Sequence, residues 1–200
     1  MIGPCADLSK PANDQFMNHS RRHFLCRMAN LAAAGIVLSA APAALAAVPT
    51  QTGARSLAFE HTHTREKLRI VYAVGDKYVP EALKKLNHLL RDHYSGQVCR
   101  MDPKLFDYLY RLKQTLGSDA PFQVVSGYRC PATNTKLRQK GGGGVAKRSL
   151  HMEGKALDVR VAGVSLKDLR DAAKASRRGG VGFYPQDKFV HVDTGAVRSW

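Results

Sequence analysis

The sequence SLHMEGKALD at Ser149–Asp158 decides the fold, together with FVHVD at Phe189–Asp193. His151 and Asp158 are seven residues apart, and a glycine between them lets the chain turn before a β-like run begins. The two side chains can therefore face one point in space. His191 lies in a second β-like run and can supply a third group to the same point.

Two imidazole nitrogens and one carboxylate oxygen form a donor set that suits Zn²⁺. Three protein ligands leave a fourth position open, which is typical of a catalytic zinc ion and not of a structural one. We therefore predict that His151, Asp158 and His191 hold one Zn²⁺ per chain.

The N-terminal region has the pattern of a cleaved export signal. A twin-arginine motif, SRRHFL at Ser20–Leu25, precedes an uncharged alanine-rich run at Met28–Ala47 that ends in a small-x-small cleavage motif. A membrane anchor is the alternative, but the run is weakly hydrophobic and is broken by a glycine and a proline. We expect the signal, residues 1–46, to be removed, so that residues 47–200 form a periplasmic domain. This domain would have no stable membrane anchor and would meet the twin-arginine export machinery only in transit.

The charge of the chain favours a polyanionic partner. The net charge is +15, and the part that follows residue 46 keeps a net charge of +13. Nucleic acid, an anionic membrane face and the cell wall all attract such a protein. An exported protein seldom meets nucleic acid, so we expect the partner to be peptidoglycan and not nucleic acid.

Two cysteines, Cys99 and Cys130, follow the signal region. In an oxidising compartment they can form a disulfide, and the alternative is two buried thiols. Their spacing does not decide between these states.

The periodicity predicts an α+β fold in which an antiparallel sheet carries the zinc site and packs against helices. Prolines and capping residues mark the helix starts, and polar turns separate the strands. The predicted strands are 56–63, 67–74, 122–125, 156–161, 181–184 and 189–193, and the predicted helices are 80–93, 103–116, 131–140 and 165–176.

Two local features have more than one interpretation. His61 and His63 share one face of the first predicted strand and could form a second metal pair, although no third ligand accompanies them. Gly141–Gly144 predicts a mobile loop, which is either a flexible rim over a substrate cleft or a plain surface connection.

SGYR at Ser126–Arg129 precedes the motif S-x-H-x-x-G-x-A-x-D at Ser149–Asp158, and His191 follows it. This order and spacing resembles the signature of the D-Ala-D-Ala metallopeptidase family, within the lysostaphin/D-Ala-D-Ala peptidase/hedgehog fold group. The resemblance implies a hedgehog-like α+β fold and makes His151, Asp158 and His191 the zinc ligands.

The resemblance also implies roles for two polar residues. Arg129 would hold the substrate or the tetrahedral oxyanion, since a fixed guanidinium suits both; the alternative is a surface salt bridge. Ser149 matches a serine that contacts substrate, and the alternative is a turn hydroxyl.

The general base is where this chain departs from the family. Members carry an acidic residue three places before the last ligand, or a histidine two places before it, and here Lys188 and Phe189 occupy those positions. Asp193 lies on the strand face of the last ligand and is the first candidate for a catalytic base. In the competing interpretation Asp193 orients an imidazole. Asp187 and Glu153 are further candidates.

The resemblance implies a zinc-dependent endopeptidase that hydrolyses peptide cross-links of peptidoglycan during cell-wall remodelling, at D-Ala–diaminopimelate or diaminopimelate–diaminopimelate bonds. A D-Ala-D-Ala carboxypeptidase is the alternative enzyme. The missing base motivates a third function, a non-catalytic wall-binding module that contains zinc. Nucleic-acid binding rests on charge alone and predicts a steep salt dependence.

Overall fold

The computed structural model of the chain describes residues 53–140 and 144–200. The predicted export signal at residues 1–46 and most of the glycine run, 141–143, lie outside the described residues. No helix within the two described ranges is long and apolar enough to cross a membrane. The strands are β1 (Ala54–His61), β2 (Lys67–Val74), β3 (Lys77–Tyr78), β4 (Phe122–Ser126), β5 (Ala156–Val161), β6 (Gly180–Tyr184), β7 (Phe189–Asp193) and β8 (Arg198–Ser199). The helices are α1 (Pro80–Leu89), α2 (Pro103–Leu116), α3 (Pro131–Lys140) and α4 (Leu166–Ser176), with a 3₁₀ turn at Leu150–Glu153.

The eight strands of the described ranges form one sheet in the order β3-β2-β1-β4-β5-β7-β6-β8. The sheet is mixed, so the prediction of an antiparallel sheet is wrong in two places. β1 pairs with β4 in parallel, and β6 pairs with β8 in parallel. The chain between β1 and β4 contains α1 and α2, which provide the long crossover that a parallel pair needs. The α+β class itself is confirmed.

The alternation of side chains in β5 and β7 separates the core from the opposite face of the sheet. Leu157 and Val159 of β5 lie in the buried core, as do the two valines of β7. Because successive side chains of a strand point to opposite faces, Asp158 and His191 point away from that core. The antiparallel register places Asp158 directly opposite His191. The sheet therefore brings these two side chains together on one face.

The helices begin where their capping signals predict. The carboxylate of Asp102 accepts the backbone N–H of Lys104 at the start of α2, and Gly117 ends that helix in the left-handed conformation. The hydroxyl of Ser165 accepts the backbone N–H of Asp168 at the start of α4. Helix α2 packs against β1 and α4, and α4 packs against β5, β6 and β7. These contacts bury the apolar side of the sheet.

Helix α1 is shorter than predicted, because it ends at Leu89 and not near His93. The carbonyl of Leu90 accepts the backbone N–H of Tyr128, and the carboxylate of Asp92 accepts the backbone N–H of Cys130. The residues that follow α1 therefore bind the SGYR segment and the cysteine after it.

Cys99 and Cys130 are not bonded to each other. Cys130 is buried and Cys99 is half-buried. The structure therefore has free thiols at these two positions.

Candidate metal centre

Three side chains converge on the face of the sheet opposite the core. Nε2 of His151 lies 3.2 Å from Oδ1 of Asp158 and 3.2 Å from Nδ1 of His191. That Nδ1 atom lies 2.9 Å from the same carboxylate oxygen. All three residues are buried. In the part of the chain that the structure describes, no other group of three His, Cys, Asp or Glu residues brings its ligand atoms so close together.

The turn before β5 positions His151. The hydroxyl of Ser149 accepts the backbone N–H of His151 at 3.4 Å and so caps the 3₁₀ turn. Gly154 ends the turn with φ of +67°, and a Cβ atom there would lie 2.5 Å from the carbonyl oxygen of Arg100. Only glycine combines this backbone conformation with so close an approach. The glycine in the motif therefore connects the His151 turn to the strand that carries Asp158.

The outer nitrogen of each histidine is held by an acceptor. Nδ1–H of His151 donates to the carbonyl of Gly127 at 2.6 Å. Nε2–H of His191 donates to Oδ2 of Asp193 at 3.0 Å. These bonds fix the tautomers, so the two inner nitrogens present lone pairs toward Asp158.

Three acceptor atoms that face one point fit a bound cation. Two ligand atoms on a tetrahedral zinc ion, with bonds of about 2.0 Å, are about 3.3 Å apart. The separations of 2.9–3.2 Å between the three atoms are close to that value. His151, Asp158 and His191 can therefore hold a metal such as zinc with only a small adjustment.

Arg129 binds the second oxygen of Asp158. Its guanidinium donates to Oδ2 of Asp158, and its Nε–H donates to the hydroxyl of Ser126 at 2.8 Å. Burial opposes ionisation of Asp158, but the charge and the N–H groups that His151 and His191 carry when protonated, together with Arg129, lower its pKa well below the usual value. The carboxylate therefore stays charged, and Arg129 forms a buried ion pair and not a surface salt bridge.

Asp193 lies behind His191 and is completely buried. Its Oδ1 accepts the backbone N–H groups of Gly180 and Gly195 at 2.9 and 2.8 Å. Its Oδ2 accepts from His191 and from the guanidinium of Arg198 at 2.8 Å. Burial opposes its ionisation, but these hydrogen bonds lower the pKa of Asp193 well below the usual value. The geometry favours the interpretation in which Asp193 orients His191 over the one in which it accepts a proton from water.

A cleft of about 670 Å³ opens over the three converging side chains. Arg129 and Ser149, both singled out by the sequence, line it close to the ligand set. The lining also includes His63, His93, Tyr94, Lys140, Gly144, Arg148, Tyr184, Asp187, Phe189, Arg198 and Trp200.

The two remaining candidates for a base differ in position. Asp187 is exposed on the turn between β6 and β7 and lines the cleft. Glu153 binds the ammonium group of Lys155 at 2.8 Å and is not among the residues that line the cleft. Lys188, at the position where the family has an acid, is exposed on the same turn as Asp187.

The second metal pair that His61 and His63 could have formed is not present. Strand β1 ends at His61, so His63 does not share a strand face with it. Nδ1 of His61 faces the backbone N–H groups of His63 and Thr64 at 3.2 and 3.4 Å, so its proton is on Nε2. Neither nitrogen of His61 then has a free lone pair. The rings of His63 and His93 stack at 4.1 Å and form an imidazole wall of the cleft.

Sequence reasoning missed two residues of this site, Arg198 and Trp200. Arg198 holds Asp193, and the indole of Trp200 lies 5.3 Å from the ring of His191. Strand β8 brings Arg198 to the cleft and Trp200 follows it directly, and a strand of two residues has no periodicity that a sequence could show.

Residues 49–200 match the model of a protein family described as peptidoglycan L,D-endopeptidase MepK. The peptidoglycan L,D-endopeptidase MepK of Escherichia coli (strain K12) is 42% identical over 172 residues, which cover 85% of this chain and 94% of that protein. The probable peptidoglycan L,D-endopeptidase MepK of Haemophilus influenzae is 38% identical over 186 residues, which cover 92% and 97%. The L-Ala D-Glu endopeptidase ChiX of Serratia marcescens overlaps 39% of this chain and 62% of its own, at 23% identity and a TM-score of 0.31, which is too low to establish a shared fold.

Proposed function

The chain belongs to the peptidoglycan L,D-endopeptidase MepK family, and from this premise we propose that it is a zinc-dependent endopeptidase that hydrolyses peptide cross-links of peptidoglycan. The resemblance to murein endopeptidase K that Gly179–Pro185 and Phe189–Gly195 indicate is confirmed by this membership. The observation that carries the proposal is the convergence of His151, Asp158 and His191 beneath an open cleft.

We propose that the bond cut is an L,D cross-link. A diaminopimelate–diaminopimelate cross-link joins an L-centre to a D-centre, whereas a D-Ala–diaminopimelate cross-link joins two D-centres. The names of the relatives specify an L,D-endopeptidase. They therefore support the first of these two bonds as the substrate.

The metal ion and the residues that contact its ligands would have different roles. When bound, zinc would supply Lewis-acid chemistry, which polarises a peptide carbonyl and makes water acidic near neutral pH. Arg129 forms a buried ion pair with Asp158 and lines the cleft, where its guanidinium could hold the carbonyl of a bound peptide. Asp193 holds His191 in the tautomer whose Nδ1 faces the ligand set.

Ser149 would have two roles in this proposal. Its hydroxyl caps the turn that carries His151, and the residue also lines the cleft. We infer that it fixes the ligand and contacts the substrate, so the turn-hydroxyl interpretation and the substrate interpretation are compatible.

Export by the twin-arginine route, with residues 1–46 removed and residues 47–200 acting in the periplasm, is part of the proposal. The motif SRRHFL at Ser20–Leu25 supports it. The net charge of +13 on residues 47–200 supports attraction to a wall that carries free carboxylates.

One observation favours a second function, a zinc-containing wall-binding module without activity. The position that holds an acid in the family holds Lys188, and Asp193 is fully engaged with hydrogen bonds. A module of this kind would bind peptidoglycan and release no product.

Digestion of purified cross-linked sacculi by the full-length protein tests these functions. Muropeptides would be measured by mass spectrometry with the protein as purified, with a chelator, and with zinc restored. We expect cross-linked dimers to fall to monomers only in the presence of zinc. Loss of terminal D-Ala from uncross-linked pentapeptides alone would identify a carboxypeptidase. Binding to sacculi with every muropeptide intact would support the wall-binding module.

A further inference from the structure

Trp200 is held at the cleft by backbone hydrogen bonds. Its N–H donates to the carbonyl of Val181 at 3.2 Å, and its carbonyl accepts the N–H of Phe183 at 3.1 Å. These bonds extend the parallel pairing of β8 with β6 by one residue. The backbone of Trp200 is therefore part of the sheet, although the residue follows the last strand.

The indole ring of Trp200 is also fixed. Its Nε1–H donates to the hydroxyl of Tyr184 at 2.8 Å, and one side of the ring contacts His191. The guanidinium of Arg198 lies 4.9 Å from the ring centre, where a cation–π contact forms. Trp200 nevertheless remains 52% exposed. An aromatic surface that is rigid and half exposed loses little conformational entropy when it binds a ligand.

Gly182 makes this placement possible. A Cβ atom at position 182 would lie 2.8 Å from Cε2 and Cζ2 of Trp200. Because no real Cβ atom approaches an aromatic carbon so closely, the indole can lie over β6 only where that strand has glycine.

The indole lies beside aromatic side chains and one paired cation. Tyr184 and Phe189 stack at 4.6 Å beside it, and the charge of Arg198 is balanced by Asp193. Lys140 and Arg148 also line the cleft, and neither forms an ion pair within the described residues. The cleft thus combines an aromatic wall with unpaired cations. A ligand that complements it has an aliphatic chain and a carboxylate.

We propose that Trp200 forms an apolar subsite for the aliphatic side chain of the diaminopimelate residue next to the bond that is cut, and so determines substrate specificity. The inference rests on the proposed endopeptidase function, because that function supplies the ligand. The ring centres of Trp200 and His191 are 5.3 Å apart. A substrate side chain that packs on the indole therefore lies beside the metal centre. Several methylene groups gain more from such a surface than the single methyl of alanine does.

Fluorescence of the full chain tests this subsite directly, because Trp200 is its single tryptophan. The zinc-saturated protein would be titrated with the tripeptide that cleavage of the L,D cross-link leaves. This tripeptide ends in diaminopimelate and no longer contains the cross-link. We expect a saturable change in emission. We also expect binding to be about tenfold weaker for the same peptide with alanine in place of diaminopimelate. An unchanged emission at saturating tripeptide, or equal affinity for the two peptides, overturns the proposal.

Kinetics of variants separate a substrate contact from structural support. Trp200→Ala should raise KM for cross-linked dimers about tenfold and leave kcat within about threefold, and Trp200→Phe should recover most of the loss. Val197→Ala is the matched control, because Val197 is equally exposed and does not line the cleft. If Trp200→Ala instead loses kcat and bound zinc while KM is unchanged, Trp200 only supports His191 structurally and the proposal is overturned. If the wild-type protein cuts no muropeptide, the proposed function fails, while the titration still decides whether Trp200 binds the tripeptide.

Discussion

Oδ2 of Asp193 accepts the Nε2–H of His191 at 3.0 Å, while Nδ1 of the same ring faces Asp158. We therefore expect Asp193→Ala to lower zinc affinity about 10- to 100-fold, the usual cost of losing a partner behind a metal ligand. Excess zinc should restore much of the turnover. Chelator competition and activity at saturating zinc measure the two effects, with Asp171→Ala on the exposed surface of α4 as control. Full zinc affinity without turnover would instead make Asp193 the base.

The ligand assignment predicts a larger effect for the histidines themselves. His151→Ala and His191→Ala should each lower zinc affinity by more than the 10- to 100-fold expected for Asp193, and should abolish hydrolysis. Metal content after dialysis and muropeptide release measure these outcomes. His88→Ala, on the exposed side of α1, should leave both unchanged. Full activity in either ligand variant would remove the metal centre from the mechanism.

The proton acceptor is expected among the groups that line the cleft. Among these groups, Asp187 and the stacked imidazoles of His63 and His93 are the candidates to be tested. One of the substitutions Asp187→Asn, His63→Gln and His93→Gln should lower kcat about 100-fold or more with zinc content unchanged. Single-turnover hydrolysis of a purified dimer identifies which one. If all three variants keep near-normal kcat, no cleft side chain among these accepts the proton.

Stability should fall in mild acid because of His61. Burial, with the charges of His93 and His63, lowers the pKa of His61 to about 4, against 6.5 for an exposed histidine. Between these pH values the unfolded chain binds more protons than the folded one, so the free energy of unfolding decreases as the pH falls from 6.5 to 4. The decrease should approach about 3 kcal/mol.

Urea unfolding followed by circular dichroism at pH 7, 5.5 and 4 measures this effect. His61→Asn keeps an acceptor for the backbone N–H groups of His63 and Thr64 but does not titrate, so its stability should depend less on pH in this range. His88→Asn, on the exposed face of α1, should retain the wild-type dependence. Equal pH dependence in wild type and His61→Asn would contradict the assignment.

Gly154→Ala should destabilise the protein more than Gly163→Ala. Both glycines have positive φ, but a Cβ atom would have open space at Gly163 and would lie 2.5 Å from the carbonyl oxygen of Arg100 at Gly154. The backbone conformation alone costs about 1 kcal/mol, and the clash should add about 1–3 kcal/mol. Denaturant midpoints of the two variants give the difference. Equal midpoints would show that the turn before β5 relaxes at little cost.

Much of the candidate site followed from local sequence. His151 and Asp158 are seven residues apart with a glycine between them that favours a turn, and this spacing predicts that both belong to the ligand set. The prolines in the first turns of α1 and α2 and the serine cap of α4 predict where these helices begin, because such signals depend on a few adjacent residues. Apolar and polar side chains alternate along much of β5 and β7, so both strands can be predicted from their own residues.

What could not be predicted depends on partners that are distant in sequence. The parallel pairing of β1 with β4 joins Phe59 to Phe122, and no period within either strand specifies that neighbour. The sequence alone leaves Asp193 available as a base, because its partners Gly180 and Arg198 lie in other strands. Trp200 drew no functional prediction because a single aromatic residue has no pattern until β8 is placed beside β6.

The cross-strand pairing of Asp158 with His191 has a mechanical consequence. A slip of β7 by one residue would turn His191 to the core and separate it from the carboxylate. An ion shared by the two side chains would therefore fasten the register of β5 and β7, much as a cross-link does. Loss of such an ion would leave the pairing of the two strands to their backbone hydrogen bonds and core side chains alone, so a metal bound here would stabilise the fold as well as the site.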